Sequence, residues 1–364
     1  MGVRSQELGV FSYLCSENRT TIMYRGYKIV CNTAAGRRRY MQYLFPQVLA
    51  ADILDRYDVW VNTIDNCDIE FFKQLAAKYP KINLIWQPDK RVDGIATINA
   101  FYKFCMEEDT IYIKMDDDVV WLEPDYFKKM VDFRIDHPEC FIVSPLVINN
   151  AMSTYLLQVH DKVKLCKYMN AQCNHRIMWK RGSFAAQLHQ WFLDKYLTTG
   201  KYQELYCGVS PWAMNRFSIN SILWFGKDLK AFDGNVEGDD EEFFSCLKPT
   251  QLGKMNMVNA DCLIAHFAFA QQRWMLDRCG ILEQYGKYLL EEWKTRPDVQ
   301  RISDDVQAIL KDIQQRQVEL KALPPIYETK KIGTGTQLKR RWKAWMKQLR
   351  CQWDGYKGVK YVLE

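Results

Sequence analysis

Asp109-Thr110-Ile111-Tyr112-Ile113-Lys114-Met115-Asp116-Asp117-Asp118-Val119-Val120-Trp121-Leu122 is a β-rich run that ends in three consecutive carboxylates and then resumes as an apolar run. The composition of residues 111–115 predicts a strand buried in a sheet. Three adjacent acids at its end do not serve stability, because like charges repel and each must be hydrated or paired. A divalent cation held by carboxylate oxygens removes that penalty, and Mg²⁺ sites often combine one or two carboxylates with substrate phosphates. A solvated acidic turn is the competing reading. In an extended chain Asp116 and Asp118 face one side and Asp117 the other.

Upstream, residues 27–33 read as a first strand, followed by Ala34-Ala35-Gly36-Arg37-Arg38-Arg39 and a helix over 40–54. A strand, a small-residue loop and a helix open many nucleotide-binding α/β units, and the arginines suit phosphates at a helix N-terminus. No G-x-G-x-x-G or Walker pattern accompanies them, and a basic surface turn fits equally well. Residues 57–63 and 82–86 read as strands, and 68–79 and 97–106 as helices. This alternation predicts an α/β fold: a Rossmann-like, mostly parallel central sheet flanked by helices. Ligands on such sheets lie at the carboxyl ends of strands, where the triplet falls. Thr33, Arg37 and Asp65 are candidate nucleotide contacts by the same placement.

Downstream, residues 141–147 read as a strand and 149–206 as a less regular, aromatic excursion suited to substrate selectivity. Its His160, His175 and His189 lack ligand spacing and read as packing or surface residues, as does the loose group Cys166, Cys173 and His175. Gly208 lies in a short apolar run where backbone can approach a ligand or form a bulge. Gly238-Asp239-Asp240-Glu241-Glu242 opens a helix. Acids there favour the helix dipole, yet four exceed what capping needs, and one can serve as a base. His266 ends an apolar strand over 259–269. Helices over 274–293 and 303–322 complete a helical C-terminal extension.

The net charge of +6 is uneven: residues 328–364 carry ten Lys/Arg against three acids, net +7, which leaves the body near −1. Leu338, Trp342, Trp345, Leu349 and Trp353 recur at three- and four-residue steps among those cations, the pattern of an interfacial amphipathic helix suited to anionic lipid. A helix that docks a partner is the competing reading. Nucleic acid is excluded as a partner by the acidic body. Twelve cysteines without a C-x-x-C pair, no signal-peptide pattern and no apolar run of membrane-spanning length predict a cytoplasmic protein, peripheral on a membrane's cytosolic face at most. Asn18-Arg19-Thr20 is a glycosylation acceptor by pattern only, and Gly2 lacks the Ser/Thr at position 6 that myristoylation needs. The expected divisions are an N-terminal extension (1–26), a catalytic domain (27–275), a helical extension (276–326) and a basic tail (327–364) dispensable for catalysis.

Four motifs stand in one order: Met115-Asp116-Asp117-Asp118, Cys207-Gly208-Val209-Ser210, Gly238-Asp239-Asp240-Glu241-Glu242-Phe243 and His266. The set resembles the D-x-D motif, glycine loop, G-E-D-x-E-F element and late metal-binding histidine of glycosyltransferases with the GT-A fold, over roughly residues 27–275. Asp239 stands where that family usually has Glu. The resemblance implies a metal-dependent glycosyltransferase that moves a sugar from a UDP- or GDP-linked donor to a hydroxyl of a glycan or glycolipid. It implies Mn²⁺ or Mg²⁺ held by Asp116, Asp118 and His266, donor contacts from Asp116, Asp117 and Gly208, and Asp240 as the matched general base with Asp239 and Glu241 left open, which favours inversion. A sugar nucleotidyltransferase, or a non-catalytic scaffold docked to a membrane, is the alternative. The former would be expected to carry a Gly-rich phosphate loop with a Lys near the first strand.

Overall fold

The strand that carries the acids lies inside a nine-stranded sheet, with neighbours on both sides. The computed structural model describes residues 23–92, 94–329 and 333–363. In chain order the strands are β1 (Lys28–Ala35), β2 (Arg56–Val61), β3 (Ile82–Trp86), β4 (Arg91–Val92), β5 (Thr110–Met115), β6 (Val119–Leu122), β7 (Val143–Ile148), β8 (Val209–Trp212), β9 (Ser221–Phe225), β10 (Asn256–His266) and β11 (Glu328–Thr329). The sheet order is β3-β2-β1-β5-β9-β7-β10-β6, with β8 paired to the first half of β10. β1, β2, β3 and β5 are mutually parallel, as are β7 and β10. β9 runs antiparallel to β5 and β7, and β6 and β8 antiparallel to β10. A mostly parallel central sheet flanked by helices, with a helical C-terminal region, is the architecture the alternation predicts.

Apolar residues cover both faces of the sheet. Val30, Trp60, Tyr112 and Trp224 point into one buried cluster and Ile29, Tyr57, Ile111 and Leu223 into the other, the two-sided burial expected of parallel strands. Trp60 stacks on Phe101 with ring centroids 4.9 Å apart, and Tyr112 on Trp224 at 5.9 Å.

Several elements differ from their sequence reading. β9 is absent from it, because Ser221–Phe225 is a wholly buried five-residue run without alternation, which periodicity cannot tell from a buried helix. The helix expected over 274–293 is two helices, Arg273–Arg278 and Ile281–Trp293, broken where Gly280 takes φ +63°. The 149–206 excursion contains two regular helices, Ala151–Val159 and Gly182–Phe192. The basic tail is not a free appendage. After helix Thr334–Tyr356 the chain returns to the body, where Val362 bridges to Leu165, Cys166 N donates to Tyr361 O at 2.8 Å, and Tyr361 is buried. Of the N-terminal extension, Tyr24 Oη donates to Asp132 Oδ1 at 2.9 Å. Residues 1–22, with Gly2 and the Asn18-Arg19-Thr20 pattern, lie outside the described residues.

His189 ties the excursion to the sheet. Its Nε2 donates to Phe267 O at 2.8 Å, which leaves Nδ1 to accept from Tyr285 Oη at 2.9 Å. Burial pushes the imidazole from 6.5 down to about 3, against the pull of the Phe267 carbonyl. Between these values the unfolded chain binds a proton that the folded chain refuses. The contribution is therefore full above pH 6.5 and is lost as the pH falls below it. Denaturation from pH 7 to pH 5 is expected to show stability falling by up to about 1.4 kcal/mol per pH unit more in the wild type than in His189→Gln. Equal slopes would refute this role.

Candidate active site

Sheet register brings the metal-ligand candidates together. Asp116–Asp118 lead from the end of β5 into β6, which pairs with β10, so that His266 faces Val119 and Phe267 N donates to Asp118 O at 2.8 Å. A bulge between Ala265 and His266 shifts this register where the histidine must be aimed. One ligand atom each from Asp116, Asp118 and His266 lies within 4.8 Å of the others.

Asp116 has partners of its own, whereas Asp117 and Asp118 share Arg37. Asp116 accepts from Lys114 Nζ at 2.6 Å and from Asn220 Nδ2 at 3.0 Å, and Asn150 holds Asn220 in turn at 2.8 Å. Asp117 turns to the loop after β1, accepting from Gly36 N at 3.0 Å and Arg37 Nε at 2.9 Å. A Cβ at Gly36 would stand 3.1 Å from Asn62 O, so glycine lets this loop pass close to the end of β2. Asp118 accepts from Arg37 Nη1 at 2.9 Å and lies 3.3 Å from His266 Nε2 and 3.4 Å from Arg273 Nη2. Burial alone would raise its pKa, yet Arg37 and His266 hold it down at about 2. In Asp117 burial prevails over Arg37 and the pKa is raised.

The donor set fits a divalent cation. Two carboxylates and an imidazole are acceptable to Mn²⁺, and His266 Nδ1 faces Asn149 O at 3.4 Å. With a metal bound, an Nδ1–H donated to that carbonyl would leave the Nε2 lone pair, in place of the Nε2–H that now meets Asp118, directed at the ion, the usual orientation of a metal-ligating histidine.

A cavity of about 440 Å³ opens over this cluster, in the size range of small-molecule sites. Arg37, Lys114, Asp116, Asp117, Asp118, His266 and Arg273 line it, and Asp240 and Glu241 close its other side. The second acidic knot thus meets the first. Asn99 Nδ2 fixes the knot's approach by donating to Val236 O and Gly238 O, both at 3.0 Å. Asp240 accepts from Tyr102 Oη at 2.8 Å. Burial raises its pKa, and Lys114 and the Tyr102 hydroxyl draw it back only in part. Arg216 Nε holds Glu241 at 2.8 Å.

Asp239 caps the helix that follows, accepting from Glu242 N at 3.2 Å, and pairs with Arg216 at 2.9 Å. It does not line the cavity. Asp239→Ala is expected to cost about 1 kcal/mol of stability through the lost cap, while turnover per folded molecule changes less than about threefold. Turnover falling as far as in an Asp240 variant would contradict that division.

Three other candidates lie away from the cavity. Thr33 is wholly buried and accepts from Tyr57 Oη at 2.9 Å. Asp65 caps helix Asn66–Lys78, accepting from Cys67 N at 2.8 Å. Gly208, at φ +72°, donates its N–H to Asp261 Oδ1 at 2.7 Å beside the β8–β10 pairing, so its backbone freedom serves the sheet edge. The sequence reading missed Lys114, Asn220, Tyr102 and Arg273. Lys114 had a signal, since position i−2 shares a strand face with Asp116. Arg273 had none, because it opens helix Arg273–Arg278, which the loop beyond β10 places.

No protein-family model matches the chain, and no curated protein sequence matches it. Among solved structures, the chain is similar to CMP-2-keto-3-deoxy-manno-octonic acid synthetase complexed with CTP, at 11% identity and TM-score 0.38, covering 71% of this chain and 99% of that one. It is also similar to S. aureus TarS 1-349, at 10% identity and TM-score 0.38, covering 81% of this chain and 89% of that one.

Proposed function

We propose that the protein is a metal-dependent glycosyltransferase of GT-A type, which moves a sugar from a UDP- or GDP-linked donor to a hydroxyl of a glycan or glycolipid. One observation carries the reading: the Asp116/Asp118/His266 cluster and the half-buried Asp240 open onto the same cavity. Asp116, Asp118 and His266 would hold Mn²⁺ or Mg²⁺, a Lewis acid that stabilises charge growing on the leaving diphosphate. Arg37 and Arg273 add fixed positive charge for the same oxygens. Asp240 takes the acceptor hydroxyl's proton as its oxygen bonds to the anomeric carbon, while the bond from that carbon to the diphosphate oxygen breaks. Burial raises the pKa of Asp240, which suits a base, whereas the Glu241 carboxylate is engaged by Arg216. Attack from the side opposite the leaving group inverts the anomeric centre.

A second cavity of about 670 Å³ supports an acceptor approach from that side. Tyr155, Tyr168 and Trp212 offer apolar faces to sugar C–H groups and Asn170 and Asn174 offer amides to hydroxyls, while Arg216, the partner of Glu241, lines it too. Nucleotidyl transfer is the alternative reading of the same cavity.

The test is a panel of nucleotide sugars with Mn²⁺ or Mg²⁺. The expected products are a nucleoside diphosphate and free sugar, or a glycoside once an acceptor is supplied. Pyrophosphate released from a nucleoside triphosphate and a sugar would instead establish nucleotidyl transfer. If no nucleotide raises the melting temperature with metal present, both fail.

A further inference from the structure

The C-terminal helix presents its apolar side outward. Helix Thr334–Tyr356 meets the body through Cys351 and Asp354, both buried. Asp354 Oδ2 accepts from Ser183 Oγ at 2.8 Å and Tyr361 Oη at 3.0 Å, and lies 3.2 Å from Arg181 Nη1. At 3.6 residues per turn, Leu338, Trp342, Trp345, Leu349, Trp353 and Tyr356 fall on one stripe on the opposite side. They are 38–84% exposed. A helix packed for stability alone would turn this stripe inward, and an exposed apolar patch of such extent marks a contact surface.

Charge indicates what it contacts. The helix carries six Lys/Arg against one acid. Beside it lies a cavity of about 250 Å³ lined by Arg176, Lys180, Arg181, Lys347, Arg350 and Cys351. Arg181 is paired with Asp354, and among the described residues the other four cations have no carboxylate partner. Burial, with Lys343 and Lys180 nearby, pulls the Lys347 ammonium below its ordinary pKa, the mark of uncompensated positive charge.

We propose that this helix docks on an anionic membrane, with the Trp/Leu stripe seated at the acyl boundary and the surrounding cations drawn to phospholipid phosphates. Tryptophan and long cationic side chains together suit the interface, where rings lie at headgroup depth and Lys/Arg stems reach outward to phosphate. A second copy of this chain would bring two strongly basic faces together, which like-charge repulsion opposes. Helix Arg273–Arg278, which carries Arg273 into the active-site cavity, packs on both helix Gly182–Phe192 and the C-terminal helix. Docking thus holds the helix that carries Arg273 one helix away from the lipid, on the side from which a lipid-linked acceptor would come. This last consequence rests on the transferase reading, whereas the docking itself does not.

The full chain is tested by sedimentation with neutral phosphatidylcholine vesicles and with vesicles containing about 30 mol% phosphatidylserine. Binding is expected to the anionic vesicles alone. Trp342→Glu/Trp345→Glu and Lys347→Glu/Arg350→Glu should each weaken it at least about tenfold, with the melting temperature and metal-dependent donor hydrolysis unchanged. These point substitutions leave the buried Tyr361 and Asp354 in place, which truncation of the tail would not. Equal binding to both vesicle types, or no loss in either variant, overturns the proposal. So does displacement by millimolar inorganic phosphate, which makes the cavity a small-anion site, or a dimer in solution that the tryptophan variant dissociates. Absent donor hydrolysis with intact vesicle binding would sink the transferase reading alone.

Discussion

In Asp118→Asn, the stabilisation that a nucleoside diphosphate and Mn²⁺ together confer is expected to disappear, and turnover to fall by about 10³-fold. The variant keeps the shape of a side chain that faces Arg37, Arg273 and His266, and removes its charge. The metal-free protein should lose on the order of 2 kcal/mol, because a carboxylate held at about 2 instead of 3.8 stabilises the folded state at neutral pH. The sign follows from the direction: the contribution is present above pH 4 and lost as the pH falls towards 2. Asp117→Asn is the matched control. Asp117 joins the same guanidinium and the Gly36 amide, so that variant tests the shared Arg37 and should keep the response to metal. Calorimetry with and without Mn²⁺ separates the two. A metal response surviving in Asp118→Asn, or lost equally in both variants, would sink the assignment of Asp118 as a ligand.

Asp240→Asn should lower kcat by about 10²- to 10⁴-fold and leave the donor KM within about threefold, the pattern of a lost general base. The amide oxygen still accepts the Tyr102 hydroxyl, and a costly half-buried charge is gone, so the melting temperature should hold or rise. Glu241→Gln is the discriminating variant. It breaks the ion pair with Arg216 at the rim of the same cavity and should cost less than about tenfold in kcat. Steady-state kinetics on all three carboxylate variants decides among them. If Glu241→Gln falls further than Asp240→Asn, Glu241 is the base.

Much of the site was legible in the chain because it is carried by local chemistry. Three acids at the end of a buried strand are anomalous wherever that strand lies, and four acids opening a helix exceed what a dipole needs. The two-residue period of extended backbone does not describe the triplet, because Val119 N donates to Asp116 O at 3.2 Å and closes a turn there, and Asp117 shares Arg37 with Asp118. The stripe of Trp342, Trp345, Leu349 and Trp353 is a matter of helical period, though not which side of it meets the body.

Thr33, Asp65 and Gly208 mark the limit of reading strand ends and turns one at a time. Each lies at a plausible boundary, and each serves local structure: a buried hydroxyl pair, a helix cap, a sheet edge. Which strand ends face the cavity depends on sheet order, and an antiparallel β9 inserted between β5 and β7 is invisible to periodicity.

The sequence by itself determined an α/β sheet flanked by helices, the acid-bearing strand end, the second acidic knot and the amphipathic C-terminal helix, because each depends on residues within a few positions of one another. Only the tertiary structure decided that His266 meets Asp118, that Arg37 and Arg273 hold that carboxylate, and that Asp240 rather than Asp239 faces the cavity. Those contacts span roughly 80 to 155 residues of chain. They are fixed by strand register and by loops that cross the sheet edge, and no local pattern encodes either.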